Sequence, residues 1–217
     1  MIRETWTHFI QGYYICQSCE VVDRDNNRSI VGYKCPRCSI PSPGGNIYYD
    51  ITVGAIADLI AGFYPLPDLD SSSSTGPIPD PPESHRLAIL VFFCTLGEVL
   101  LQQYLERGMI RLGLPLEIQN RLLQDNMFTT KRIQRLFPIL TGVPWQEAVK
   151  TVSKRAKTDF KKTVDFYIEA NGKRNLLLHL GNKWAVPSDM AKQCFDNIAP
   201  LIKLFVEFHN TYLVKPI

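Results

Sequence analysis

Two C-x2-C pairs, Cys16-Gln-Ser-Cys19 and Cys35-Pro-Arg-Cys38, constrain this chain more than any other feature, with fifteen residues between them. Each short turn lets two thiolates converge on one ion while backbone amides of the same turn donate to sulfur. A second such turn at this distance completes a four-thiolate tetrahedron. The competing reading is a pair of disulfides. Against it, the first fourteen residues, MIRETWTHFIQGYY, lack the apolar run of a secretory leader, so an intracellular, cytoplasmic setting with reduced thiols is expected. Zinc is therefore expected on Cys16, Cys19, Cys35 and Cys38, in a structural role, because four protein ligands leave no position for water. Tyr13-Tyr14-Ile15 and Ile30-Val31-Gly32-Tyr33 are β-prone leads into the two turns, with Asp25-Asn26-Asn27 as a turn between them.

This segment resembles a zinc ribbon. Residues 1–64 are read as the ribbon plus a short helix over 49–63, with Ile51, Ala55, Ile56, Leu59 and Ile60 on one side. Residues 65–82, PLPDLDSSSSTGPIPDPP, hold six prolines and four consecutive serines; they read as a linker with too few apolar anchors to pack. From 83 to 217 the pattern is helical throughout. A helix from Glu83 to about Arg111 is expected, then helices over 116–126, 129–140 and 144–156. Another runs from Thr158 through Ala170, continuing or restarting near Lys173, and a last one spans 188–212. The fold class is thus mainly α: a small zinc ribbon of four cysteine ligands followed by an all-α bundle. Hydrophobic residues at 45% and charged residues at 21% exclude wholesale disorder. The longest apolar run, Leu87 to Leu96, is half of the roughly 20 residues a membrane span needs; it reads as a core helix, and no membrane partner is expected. Cys94 and Cys194 lie in helical apolar patterns and read as small core residues rather than reactive thiols.

A net charge of +3 makes no case for nucleic acid, so any such case rests on local patches. One such patch runs from Lys150 to Arg174, eight Lys/Arg against three acids, with a solvated helix face as the plain alternative. It leads into Glu169-Ala-Asn-Gly-Lys-Arg-Asn-Leu-Leu-Leu-His-Leu-Gly181. On a helical wheel Asn175 and His179 fall about 100° and 140° from Arg174. Leu176, Leu177 and Leu180 form an opposite arc read as core, and Leu178 falls on the polar side, as suits an interface. Arg174 as a surface cation and His179 as an interior histidine is the structural alternative. His8, His85 and His209 have no convergent partners and read as structural.

The string Arg174-Asn175-x3-His179, late in a helical bundle, resembles the R-x4-6-H signature of the HEPN superfamily. The longer string Glu169-x3-Lys173-Arg174-x4-His179 resembles an extended form of it, and Glu98 matches an acid embedded in that superfamily's long first helix. The likeness covers about residues 83–213. It implies a four- or five-helix bundle, a homodimer, and in many members a metal-independent endoribonuclease acting as a toxin, phage-defence or RNA-processing factor, some with an antitoxin or other protein partner. Under it, the catalytic set is Arg174, His179 and Asn175, and Lys173 and Glu169 serve substrate binding. Histidine exchanges protons near neutral pH, and arginine stabilises charge on a phosphorane. RNA is then the expected partner, with zinc as a structural cofactor in the ribbon. Two other readings stay open: a non-catalytic dimeric interaction or nucleotide-sensing module, and a ribbon-type DNA-binding regulator. For the last, Arg24, Arg28, Lys34 and Arg37 are set against Glu20, Asp23 and Asp25.

Overall fold

A computed structural model describes residues 12–44, 47–64 and 81–214. The linker expected over 65–82, but for its last two residues, and His8 lie outside the described residues. The N-terminal segment forms a two-stranded antiparallel sheet, β1 (Tyr14–Ile15) and β2 (Val22–Asp23), with Tyr14 opposite Asp23 and Ile15 opposite Val22. This hairpin encloses the first C-x2-C turn alone. The second turn sits in its own loop, closed by a bridge between Lys34 and Pro41. The β-prone residues Ile30 and Val31 form no strand and are exposed. Residues 26–29 instead coil into a 3-10 turn capped by the Asp25 carboxylate, an aspartate's usual local bond.

Helix α1 (Ile51–Phe63) starts at Asp50, whose carboxylate accepts from the Thr52 amide at 2.7 Å. It buries Val53, Ile56, Ala57 and Ile60, while Ile51 and Leu59 face outward. The buried face is thus rotated from the one expected, because α1 packs on the long helix α2 (Glu83–Arg111). Among the described helices α2 alone is long and apolar enough to cross a membrane, yet half of its apolar window is buried in the fold. Ile89, Leu90, Phe93, Leu96, Leu100 and Leu101 are its core residues. Helix α3 (Leu116–Asp125) follows. Helix α4 is one run of Thr129–Lys131, a π turn over Arg132–Leu136, and Phe137–Thr141. The π turn has a local cause. Pro138 would clash with a carbonyl four residues back in a regular helix, and the turn before it widens so that the Phe137 amide bonds to the Arg132 carbonyl.

Helix α5 (Trp145–Ala156) packs on α6 (Phe160–Leu180), and α6 packs on α2. Helix α6 passes Gly172 without a break and ends at Gly181, left-handed at φ 60°. The last helix divides in two, α7 (Met190–Asp196) and α8 (Ile198–Phe208), followed by a π turn over His209–Leu213. Pro200 has no amide to continue the turn from α7, so α8 starts afresh after Asn197. An aromatic nest closes the core: Phe137 lies 4.8 Å from Trp145 and 5.0 Å from Phe208, and Trp145 lies 4.9 Å from Phe208, centroid to centroid. Cys94 and Cys194 are fully buried, as expected, and burial pushes the Cys94 thiol up to about 12.

The cysteine segment is seated on the helices. Tyr13, Val22, Tyr48 and Tyr49 belong to the same apolar core as α1, α2 and α8. The Asn210 amide takes both backbone groups of Val22, accepting from its N–H at 2.8 Å and donating to its carbonyl at 2.6 Å, so a side chain finishes the edge of β2. The Tyr49 hydroxyl donates to the Ile202 carbonyl at 2.9 Å. Arg107 lies over the Tyr48 ring, 4.1 Å from its centroid, and donates to the Tyr48 carbonyl.

Candidate functional site

The four cysteines converge as their spacing predicts. Their sulfurs all lie within 4.8 Å of one another, with Cys16–Cys38 and Cys19–Cys35 each at 3.8 Å. A metal bound to four thiolates at about 2.3 Å in a tetrahedron sets sulfur–sulfur edges of about 3.8 Å, so the donor set fits such an ion. The two knuckles repeat one backbone pattern. Glu20 N bonds to Cys16 O at 2.8 Å and Ser39 N to Cys35 O at 2.8 Å, with Glu20 and Ser39 both left-handed at φ 61° and 59°. Arg28 supports the cluster from below. Buried in the segment, it donates Nη1 to Cys35 Sγ at 3.1 Å and Nε to Asp23 at 2.7 Å. Burial raises the Cys35 thiol, but Arg28 and the Arg37 and Cys38 amides outweigh it and hold the pKa low, at about 6. Arg28 is therefore engaged inside the fold and is not a surface cation for nucleic acid.

The second constellation lies on the helical side, in an open cleft of about 770 Å³ between α2, α4 and α6. Arg174, Asn175 and His179 all line it, together with Glu98. Arg174 is fixed from across the cleft: its Nη1 donates to Glu98 Oε1 at 2.7 Å, and its side chain is 18% exposed. Among the described residues the remaining fork, Nε and Nη2, is held by Asn175 Oδ1 alone, at 3.3 Å each. Thr129 also donates to Glu98 Oε1, at 3.4 Å. Because α6 is unbroken, Arg174 and His179 keep their wheel offset of about 140°. They flank the opening rather than touch. Lys173 and Glu169 do not line the cleft.

Several lining residues carry no signal in the sequence patterns above. Gln102 sits one turn after Glu98 on α2, and Asn171 lies three residues before Arg174 on α6, spacings that place each pair on one face. Arg132 and Ile133 enter through the π turn, which no periodicity foretells. Tyr167 forms part of the wall because Gly97 leaves room: a Cβ there would stand 2.1 Å from the ring. The Tyr167 hydroxyl is buried beside Asn171 without a hydrogen bond of good geometry. Of the basic run 150–174, only Arg174 faces the cleft. Arg155 pairs with Glu207, Lys161 with Asp165 and Lys162 with Asp159 on the outer faces.

The leucine arc of the motif differs from the expectation. The last buried residue of α6 is Ala170, and Leu176, Leu178 and Leu180 are exposed, Leu180 at 72%. Helix α6 outruns the helices it packs on, so its final turns have no core to enter. Trp184, just beyond, is 85% exposed. His85 packs its ring on Phe63 at 5.2 Å, and His209 is buried under the cysteine segment, both in structural settings. Comparison with protein-family models, curated proteins and solved structures finds no match to this chain.

Proposed function

We propose that the chain is an endoribonuclease of HEPN type that cuts RNA through attack by its own 2′-hydroxyl, with zinc on the four cysteines as a structural element. The observation that carries this reading is the shared cleft: Arg174, Asn175 and His179 face one opening, and Glu98 holds the arginine from a second helix. The Glu98 ion pair orients the guanidinium, and its weakly held Nε–Nη2 edge is a planar fork that suits a phosphate in place of the Asn175 carbonyl. In the proposed step His179 takes the proton of the 2′-hydroxyl as that oxygen attacks phosphorus. Arg174 stabilises the charge on the phosphorane, and Asn175 orients the substrate. The bond to the 5′-oxygen breaks, that oxygen takes a proton from water, and a 2′,3′-cyclic phosphate and a 5′-hydroxyl remain. Zinc, when bound, joins the two knuckles and takes no part in this step.

The exposed Leu176, Leu178, Leu180 and Trp184 beside the motif support a homodimer built on the end of α6. That surface also favours the second reading, a dimeric interaction module without chemistry. Incubation of a mixed-sequence RNA with wild-type, His179→Ala and Arg174→Ala proteins, zinc-loaded and in magnesium-free buffer, separates the two. Wild-type cleavage leaving 2′,3′-cyclic ends, with at least a hundredfold loss in either variant, is the expected result. Equal cleavage by a purified His179→Ala protein removes the histidine from the reaction. A folded wild-type dimer that leaves RNA intact favours the module.

A further inference from the structure

The entrance of the cleft carries a feature that the catalytic reading does not use. Residues 127–132 form its lip, and the two large apolar side chains there are turned outward: Met127 is 65% and Phe128 62% exposed. An aromatic ring turned outward at a cleft mouth is an exposed stacking surface. Its surroundings are cationic and hydroxylic. The Lys131 ammonium lies over the Phe128 ring, 5.4 Å from its centroid, and Thr129 and Thr130 line the same edge. One turn further in, Arg132 is anchored by two of its three nitrogens. Nε donates to the Asn126 carbonyl at 3.1 Å and Nη1 to Gln102 Oε1 at 3.3 Å. Its Nη2 makes no hydrogen bond among the described residues. The π turn that follows Pro138's demand sets Arg132 at the cleft wall with Ile133.

We propose that this lip is a nucleotide-docking subsite for single-stranded RNA, with a base stacked on Phe128 and an adjacent phosphate held by Arg132. The inference rests on the ribonuclease reading for the class of ligand, and on the lip's own geometry for the place. A base has an apolar face for the ring and a phosphate one step along the strand for a cation, which is the pairing found here. Against a second copy of the chain stands the Lys131 ammonium over the ring, lysine being depleted at subunit interfaces even though Phe, Met and Arg are enriched there.

The test uses the full-length chain in a His179→Ala background, with a short fluorescein-labelled single-stranded RNA followed by anisotropy. Phe128→Ala should weaken binding by about tenfold, the size of one lost stacking contact, and Phe128→Trp should retain it. Arg132→Gln should flatten the dependence of log K on log salt by about 0.7, one phosphate's share for a single strand. The Phe128→Ala melt should match the parent, since Phe128 is exposed, whereas Arg132→Gln gives up the bonds to Asn126 and Gln102 and is read by its salt slope on protein shown folded by circular dichroism. Unchanged affinity in Phe128→Ala together with an unchanged salt slope in Arg132→Gln overturns the subsite, whether or not the wild type cuts RNA. If Phe128→Ala instead breaks up a dimer with RNA affinity intact, the lip is a subunit contact and the proposal falls. Tight binding that depends on both residues, in a protein that never cleaves, keeps the subsite and removes the nuclease reading. If the parent does not bind RNA at all, both fall.

Discussion

His209 is buried where the end of the chain meets the cysteine segment, and its environment ties folding to pH. Its Nε2 lies 2.8 Å from the Glu20 carbonyl, which can only accept, so Nε2 carries the proton and Nδ1 is a buried acceptor without a partner among the described residues. Burial lowers its pKa to about 4, with Arg107 and Arg111 adding to that effect and the Glu20 carbonyl and carboxylate opposing it; the Tyr48 ring packs on its other side at 4.9 Å. Between pH 4 and 6.5 the unfolded chain therefore binds more protons at this residue than the folded one. Stability is full above about pH 6.5 and falls as pH is lowered towards 4, by about 3 kcal/mol from this group. The His209→Gln variant keeps a donor near Nε2 and cannot titrate; its denaturant-unfolding free energy should lose that much less than wild type over the same window. Parallel slopes for the two proteins would contradict the assignment. Other single residues were legible without coordinates. The four cysteines, Cys94 and Cys194 follow from spacing and apolar context, because thiolate convergence is local and burial of small apolar groups is periodic. Arg28 was not, since its pairing with Asp23 and Cys35 depends on how the intervening turn coils.

Among the elements, the contact between α2 and α6 decides the shape of the cleft, and two glycines of α2 measure it. A Cβ on Gly97 would lie 2.1 to 2.8 Å from ring atoms and the hydroxyl of Tyr167, which the rest of the core holds in place. A Cβ on Gly108 would meet chiefly a methyl of Leu140 at 2.7 Å, the end of a side chain that can turn away. Gly97→Ala should therefore cost about 2 kcal/mol of stability and spread the α2–α6 wall on which Glu98 and Arg174 meet, whereas Gly108→Ala should cost less. Denaturant unfolding of both variants checks the order, and a smaller loss at Gly97 would refute the packing argument. Helix positions from α2 to α6 were largely readable, because amphipathic periods and stop residues act within a few turns. The misreadings share one cause. The rotated face of α1, the exposed leucines of α6 and the missing strand at Ile30–Val31 each depend on which neighbour arrives, and a helical wheel shows the faces without the partner. Proline marks at Pro138 and Pro200 did carry a signal for the π turn and the break before α8, through the missing amide and the ring clash.

For the molecule as a whole, the cysteine cluster and the helices share one core, which sets what metal removal should do. Tyr13, Val22, Tyr48 and Tyr49 pack into the helical core, and Asn210 and His209 bind the hairpin backbone. Stripping the metal with a chelator should therefore lower the melting temperature of the helices as well, seen by far-ultraviolet circular dichroism, and restoring zinc should return it. A helical melt unaffected by chelation would mean that the cysteine segment is thermodynamically separate. By itself the sequence determined the thiolate tetrad, the mainly α class, the helices around it and the motif residues worth testing, since each depends on chemistry within a short stretch of chain. Only the tertiary structure decided that Glu98 meets Arg174 over 76 residues of separation, that Arg132 and Phe128 join the same cleft, and that the ends of α6 and the hairpin find, or lack, a partner. Those outcomes turn on long-range packing, where the geometry of every other element enters and no local pattern carries it.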